Sequence, residues 1–365
     1  MKRLLCILSS MNSGGAETFL MKVYRKLDRS KYQLDFCLNT EEECFYNKEI
    51  RDLGGKIFYV PQKSVGVAEF KRRLSDLVRN EDYKYVLRIT SNAAGFMDLK
   101  IAKKAGAEIC SARSSNSSDG TSRIVKLIHY LGRLFYGRYV DVKFAPSDLA
   151  AKYTFGNRDY RSGKVSILHN AVDLSVYHYS ESARDSIRKE FGIEHSTVVI
   201  GNIGRFMTQK NHPFLIKVFS EIHKNNSDTV LMLVGCGELE DQIKAEIEEY
   251  GLTESVIFAG VRSDIPDVLS AMDVFVMPSF FEGMPNTVIE AQATGLPCVI
   301  ADTITREANI TGLVEYLPLG DAKAWAQKAL DSLREERVNT EQTFIDKKYD
   351  IESTVENFVK LVFGE

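Results

Sequence analysis

The sequence has no long hydrophobic run. Its first apolar stretch, LLCIL, is bounded by Lys2 and Arg3 on one side and Ser9 and Ser10 on the other. That is too short for the core of a signal peptide and far short of the roughly 20 apolar residues of a membrane span. It predicts a buried first strand. No other segment reaches about 18 uncharged apolar residues, so no helix that crosses a bilayer is expected. Paired cysteines are missing too. Cys6, Cys37, Cys44, Cys110, Cys236 and Cys298 are scattered, with no CxxC and no Cys/His cluster at zinc spacing. Cys6, Cys37, Cys110 and Cys298 lie in apolar, strand-like runs and read as small buried hydrophobes. Short-period repeats and low-complexity tracts are absent. A chain that is 44% hydrophobic and 27% charged is neither disordered, collagenous nor disulfide-stapled. Together these absences point to a cytoplasmic protein.

At 365 residues the chain has the length of two domains. The net charge of −3 conceals an asymmetry. Residues 1–180 carry 30 Lys+Arg against 19 Asp+Glu, and residues 181–365 carry 17 against 31. A split of that kind suggests that the first half faces something anionic.

Short apolar runs alternate with helical patterns from end to end. Strands are predicted at Arg3–Leu8, Gln33–Leu38, Lys56–Val60, Tyr85–Ile89, Ala107–Cys110 and Val142–Ala145, and again at Thr197–Asn202, Val230–Val234, Val256–Phe258, Val274–Met277 and Cys298–Ala301. Helical patterns fill most of the intervals. That rhythm implies an α/β chain of two doubly wound, Rossmann-like parallel-sheet domains. The polar, aperiodic stretch DLSVYHYSESARDS marks the break. The expected division is 1–178 and 179–345, followed by a terminal helix within 346–365. Ligands of open α/β sheets bind beyond the carboxyl ends of the strands, which would place one in a cleft between the two domains.

Four strand ends carry glycine-rich or charged turns. In MNSGGAE, Gly14 and Gly15 permit close approach to a ligand at a helix N-terminus. In GNIGRFMTQK, Gly204 ends a strand, and Arg205 and Lys210 put two cations on one strand-to-helix loop, which suits a diphosphate. LMLVGCGELE lacks the full dinucleotide fingerprint and is not read as an NAD site. The most specific is PSFFEGMPNTVIEAQATGLPCVIAD. Glu282 lies in its turn, Pro285 and Asn286 at a helix entry, and Glu290 about one turn further on. Two carboxylates at that spacing can accept hydrogen bonds from two sugar rings of one ligand, with free amides between them for a phosphate.

These residues resemble the family 4 glycosyltransferases, retaining enzymes of the GT-B fold, and most closely the bacterial branch that builds capsules and exopolysaccharides. The matching pieces are MNSGGAETF, HNAVDLSVY, GRFMTQKNHPFLIKVF, LVGCGELE, VIFAGVRSDIPDVLSAMDVFVMPS, FEGMPNTVIEAQATGLPCVIAD and TITREA. The resemblance implies that Arg205 and Lys210 bind the donor diphosphate and stabilise charge on the departing nucleotide. It implies that Glu290 binds the ribose and Glu282 lies near the donor sugar. Gly204, Gly283, Met284, Pro285 and Asn286 would complete that pocket, Gly15 would approach the phosphates or the acceptor, and Val261 would pack the base. The sugar would move with retention from a nucleotide sugar, with UDP the expected nucleotide and GDP the alternative. The donor would be a substrate, and neither a cofactor nor a metal ion is expected. The acceptor would be lipid-linked or an oligosaccharide. The terminal helix would cross back to the first domain.

One departure bears on the acceptor side. Relatives in this branch often carry histidines after the fourth and fifth strands, where this chain reads VLRITSNAAG and CSARSSNSSDG. Arg113 and Ser115 stand about where two of them would be, and with Gly14 they are the acceptor-side candidates. That departure leaves open a non-catalytic sugar-nucleotide-binding subunit, and the shared architecture leaves open a nucleotide-sugar 2-epimerase. The segment RIVKLIHYLGRLFYGRY has the composition of an interfacial helix, and equally of a core helix. With Lys71, Arg72 and Arg73 nearby in sequence, it makes an anionic membrane surface a candidate partner and a peripheral membrane location an expectation. His129 within it reads as a packing residue. No aromatic RNA platform or recognition helix is visible, which argues against nucleic acid.

Overall fold

The computed structural model describes residues 1–12, 14–115, 123–282 and 284–365. The chain divides into two compact units, Met1–Ala171 with Lys348–Glu365, and Val172–Lys347. The first boundary falls at Ala171 rather than at 178, for a local reason. Lys22 Nζ donates to the Ala171 carbonyl at 3.2 Å, which ties the chain to the first unit up to that point. Tyr177 already packs on the second core, and the Ser180 amide donates to Ser270 Oγ at 3.3 Å. The chain returns to the first unit at Lys348. His169 stacks on Tyr349 there, with ring centroids 4.0 Å apart.

In the first unit the strands are β1 (Lys2–Ile7), β2 (Tyr32–Leu38), β3 (Ile57–Tyr59), β4 (Tyr85–Thr90), β5 (Ile109–Ser114), β6 (Val142–Ala145) and β7 (Ser166–Ile167). They form one parallel sheet in the order β3-β2-β1-β4-β5-β6-β7. Side chains alternate across a strand with period two. Leu4 and Cys6 of β1 therefore enter one core, while Leu5 and Ile7 enter another on the opposite face. Both faces are covered, as a parallel sheet requires. The terminal helix Ile351–Phe363 contributes Phe358, Val362 and Phe363 to the core that holds Leu4. Its start is capped by Asp350, whose carboxylate accepts the Ser353 amide at 2.7 Å.

The second unit holds β8 (Val198–Ile203), β9 (Thr229–Val234), β10 (Val256–Gly260), β11 (Val274–Met277), β12 (Cys298–Ala301) and β13 (Val314–Leu317). Their order is β10-β9-β8-β11-β12-β13, again all parallel. The order reverses between β8 and β11. Such a reversal is where an open α/β sheet offers a crevice beyond its strand ends.

Two strands and several short helices exceed the sequence reading. β7 and β13 are edge strands, of two residues and of mixed polarity (VEYL), so neither shows an apolar run. The aperiodic break also hides a helix start. Ser180 caps Glu181–Glu190 by accepting the Ala183 amide. The four strand-like cysteines are buried, and burial pushes the Cys37 and Cys110 thiols up to about 12. Among the described residues no helix is long and apolar enough to cross a membrane.

Candidate functional site

The second unit gathers its sequence-predicted residues at the carboxyl edge of its sheet. Gly204 follows β8 and is succeeded by Arg205 and then by a short turn, Thr208–Lys210. Asn211 adopts a left-handed conformation (φ 55°) before the helix His212–Asn225. Its amide Nδ2 donates to the Pro278 carbonyl after β11 at 3.1 Å. The Phe280 amide donates to the Gln209 carbonyl at 2.9 Å, and Gln209 Nε2 donates to the Phe281 carbonyl at 2.8 Å. The loops after β8 and β11 are thus tied together by three bonds at the point where the strand order reverses.

This lacing brings Lys210 to Glu282. Lys210 Nζ donates to Glu282 Oε1 at 2.7 Å, with side-chain exposures of only 16% and 13%. Gly204 makes room for the lysine, since a Cβ there would stand 3.0 Å from Lys210 Cε. Gly235, at φ +137°, carries the next loop past the Gly204 carbonyl, into which any side chain would collide. That loop places Glu238 beside Arg205, whose Nε donates to Glu238 Oε2 at 3.2 Å in an exposed pair. Both cations are therefore present, and each is held by a carboxylate.

The EGMPN segment enters its helix at the position its proline and asparagine suggest. Pro285 is the N-cap of Asn286–Ala293, and both Pro285 and Glu290 are buried. Met284 packs against the core. Val261, after β10, is 76% exposed. Gly283 lies outside the described residues. Among the described residues, no group of three His, Cys, Asp or Glu side chains could hold a metal ion.

His212 is a residue the sequence reading passed over. It is buried at the start of its helix, edge-on to Phe206 with centroids 5.0 Å apart. Neither ring nitrogen has a hydrogen-bond partner among the described residues. Burial, helped by the charge of Lys210, pushes it down to about 4, so it is neutral at physiological pH. The only sequence cue was an Asn-His-Pro at a helix start.

The first unit holds the acceptor-side candidates. Gly14 precedes the helix Gly15–Lys26, and Gly15, its first residue, is exposed. Ser115 is exposed after β5, its amide donating to the Thr90 carbonyl at 2.9 Å. Arg113 is different. It is 1% exposed, with its guanidinium 3.7 Å from the centroid of Phe19 and Nη2 donating to Asn170 Oδ1 at 2.6 Å. Burial lowers it to about 9, opposed by the charge of Glu17. In this arrangement Arg113 is enclosed by protein, between Phe19 of the helix Gly15–Lys26 and Asn170. Arg72 and Arg73, grouped above with a basic surface, are both paired to Glu69 on their own helix.

Residues 197–335 match the family described as glycosyl transferases group 1. A protein of Bacillus subtilis (strain 168) named as a glycosyltransferase, EpsF, is 34% identical over 97% of this chain and 94% of its own. The Escherichia coli UDP-Gal:alpha-D-GlcNAc-diphosphoundecaprenol alpha-1,3-galactosyltransferase is 37% identical over 38% of this chain and 37% of its own. Among solved structures, Anabaena Alr3699/HepE in complex with UDP and glucose covers 100% of both chains at a TM-score of 0.77 and 16% identity. The sucrose-phosphate synthase of Thermosynechococcus elongatus covers 99% of this chain and 98% of its own at 0.76 and 14%. At those identities the likeness shows the fold, which is GT-B.

Proposed function

Because the chain belongs to the group 1 glycosyltransferases, we propose that it moves a sugar, with retention, from a UDP-sugar to a lipid-linked or oligosaccharide acceptor during cell-surface polysaccharide assembly. The observation that carries the reading is the Lys210–Glu282 pair at the strand-order reversal, with Arg205 on the same loop. A diphosphate arriving there meets two cations on one side. Lys210 would exchange its contact with Glu282 for phosphate oxygens, and Arg205 would do the same with Glu238. Charge that grows on the leaving diphosphate as the glycosidic bond breaks would then be met by groups already in place. No metal is needed for that step.

Glu282, released from Lys210, would accept hydrogen bonds from sugar hydroxyls, and Glu290 from those of the ribose. Retention would follow from attack on the face that the diphosphate leaves. The name of a relative that acts on a diphosphoundecaprenol sugar supports a lipid-linked acceptor, that of a Vi polysaccharide biosynthesis protein supports polysaccharide assembly, and the UDP complexes of a structural neighbour support UDP. A lipid-linked acceptor would place the protein at the cytoplasmic face of a membrane, held peripherally. Transfer, rather than 2-epimerisation of the donor, is the reaction of the family.

The test is a panel of nucleotide sugars on the purified protein. The true donor raises the melting temperature, because a ligand bound to the native state stabilises it by mass action. Labelled donor should then yield a glycosylated acceptor with the anomeric configuration of the donor. An epimerised nucleotide sugar formed without acceptor would overturn the reading.

A further inference from the structure

The loops after β1 and β2 are laced together at the carboxyl edge of the first sheet. The Asn39 amide donates to the Ser9 carbonyl at 3.1 Å, and the Tyr46 amide to the Met11 carbonyl at 3.0 Å. Between these ties the Phe45 amide donates to Asn12 Oδ1 at 3.2 Å. Tyr46 is buried, and its hydroxyl meets Thr18 Oγ1 of the helix Gly15–Lys26 at 3.0 Å. Phe45 is the exception in this corner. Its backbone is fixed, yet its side chain is 70% exposed, more than any other phenylalanine among the described residues. The ring stands perpendicular to that of Tyr46, with centroids 4.8 Å apart.

A single exposed apolar side chain means nothing by itself, so its neighbours decide. Asn12 is exposed, and its Oδ1 is taken by the Phe45 amide, which leaves Nδ2 to present a donor. Glu17 folds back on the Gly14–Gly15 turn, where a Cβ on Gly14 would collide with its Oε2. One aromatic ring, one amide donor and one carboxylate acceptor thus lie along the same turn. That set discriminates between ligand classes. An anion would meet Glu17 as a like charge, with Glu41 and Glu42 exposed on the neighbouring loop. An alkyl chain would strip water from Asn12 and Glu17 and return no hydrogen bond. A pyranose satisfies all three groups. Its C–H face carries partial positive charge and packs on the electron-rich face of an aromatic ring, and its rim of hydroxyls both donates and accepts.

We propose that Phe45 is the platform on which a neutral pyranose ring of the acceptor stacks, with Asn12 and Glu17 receiving its hydroxyls. The inference rests on the reading of the chain as a sugar transferase, and it gives the acceptor side a ligand class and the residues that select it.

The experiment is a titration that needs no turnover, on the purified full chain carrying Phe45→Trp. Trp325, the one native tryptophan, is fully buried, so a small solute reports through the introduced indole. Methyl glycosides of glucose, galactose, mannose, N-acetylglucosamine and N-acetylgalactosamine are added in turn, beside inorganic phosphate and hexanol. At least one glycoside should change the emission saturably in the millimolar range, and phosphate and hexanol should not. A saturable response to phosphate or hexanol alone, or to none of the solutes, overturns the proposal. Adding Asn12→Asp keeps an acceptor for the residue-45 amide but removes the Nδ2 donor, and should weaken the glycoside by about fivefold. Unchanged affinity there overturns the assignment of the rim. The native side chain is tested by saturation-transfer NMR with the same glycoside. Phe45→Leu keeps an exposed apolar group without a ring and should lose about fivefold or more in affinity, at an unchanged melting temperature. Retained affinity overturns the platform. UDP, followed by calorimetry, should bind every variant as it binds the unaltered chain. UDP binding without glycoside binding sinks the platform alone. Glycoside binding by a chain that no nucleotide sugar stabilises sinks the enzymatic reading alone.

Discussion

Lys210 Nζ and Glu282 Oε1, 72 positions apart in sequence, stand 2.7 Å from each other across the strand-order reversal of the second sheet. Each holds the group that the other's ligand would need. The lysine's charge is met by the carboxylate until an anion arrives, and the carboxylate's by the lysine. A half-buried pair of this type is costly to break from one side only, because the survivor is left uncompensated.

That asymmetry predicts opposite effects on donor binding. Glu282→Gln removes a competitor for Lys210, so UDP alone should bind as tightly or several-fold more tightly. Sugar transfer should nevertheless fall by about 10²-fold, since the amide accepts fewer hydrogen bonds from hydroxyls. Lys210→Ala should lose UDP affinity by at least about tenfold and kcat/KM by about 10²-fold or more. Calorimetry with UDP beside steady-state rates separates the two. Equal losses of UDP affinity in both variants would mean that the pair acts only as a structural clamp.

Arg205 and Glu238 form the exposed counterpart, at 69% and 53%. An exposed ion pair contributes at most about 1 kcal/mol to stability and is screened by salt. Glu238→Gln should therefore leave the melting temperature nearly unchanged while raising UDP affinity a few-fold at low salt. Arg205→Ala should lower that affinity about tenfold, again with little change in melting temperature. If Arg205→Ala binds UDP as the unaltered chain does, the diphosphate lies elsewhere.

The contrast between these pairs shows what could be read in the sequence. Gly204, Arg205 and Lys210 are local, and so are Glu282, Pro285 and Glu290. A strand end, a turn and a helix entry declare themselves through glycine, proline and charge at fixed offsets. The identity of each cation's partner is not local. It depends on Asn211 reaching Pro278 and on Gln209 reaching Phe281, contacts set by the order of strands. The enclosure of Arg113 was hidden for the same reason, because Phe19 and Asn170 come from opposite ends of the first unit. β13 was missed on physical grounds of another kind. As an edge strand it buries one face, so Glu315 interrupts the apolar run by which inner strands are recognised.

His212 makes stability depend on pH. Its folded value of about 4 lies below the ordinary 6.5 of an unfolded histidine. The unfolded chain therefore binds the proton first, and acid favours unfolding. The contribution is fully present above about pH 6.5 and is lost as pH falls toward 4, at most about 3 kcal/mol over that window. His212→Leu, of similar volume, removes two unpartnered ring nitrogens from an apolar site. It should flatten the pH dependence of the urea midpoint between pH 6.5 and 4 without lowering stability at pH 8. A slope unchanged in the variant would assign the acid sensitivity to other groups.

Arg113 and Glu17 should be coupled in stability although one is enclosed and the other half-exposed. Burial raises the Glu17 carboxyl and lowers the Arg113 guanidinium, while each charge pulls the other back toward its ionised form. Arginine stays protonated in proteins, so Glu17→Gln leaves a buried cation with less compensation. We expect a cost of about 1–2 kcal/mol in urea unfolding, discounted for the exposure of Glu17. Arg113→Met forfeits the stacking on Phe19 and the bond to Asn170 but also removes the buried charge, so adding Glu17→Gln to it should cost nothing more. The double-mutant cycle then closes with an interaction energy of about 1 kcal/mol or above, whereas strict additivity would mean that the two do not interact. The same variants read out function. If Arg113 holds the Gly14–Gly15 turn in place, Arg113→Met should raise the KM for acceptor with the affinity for UDP unchanged, and an acceptor KM equal to that of the unaltered chain would leave Arg113 a purely structural residue.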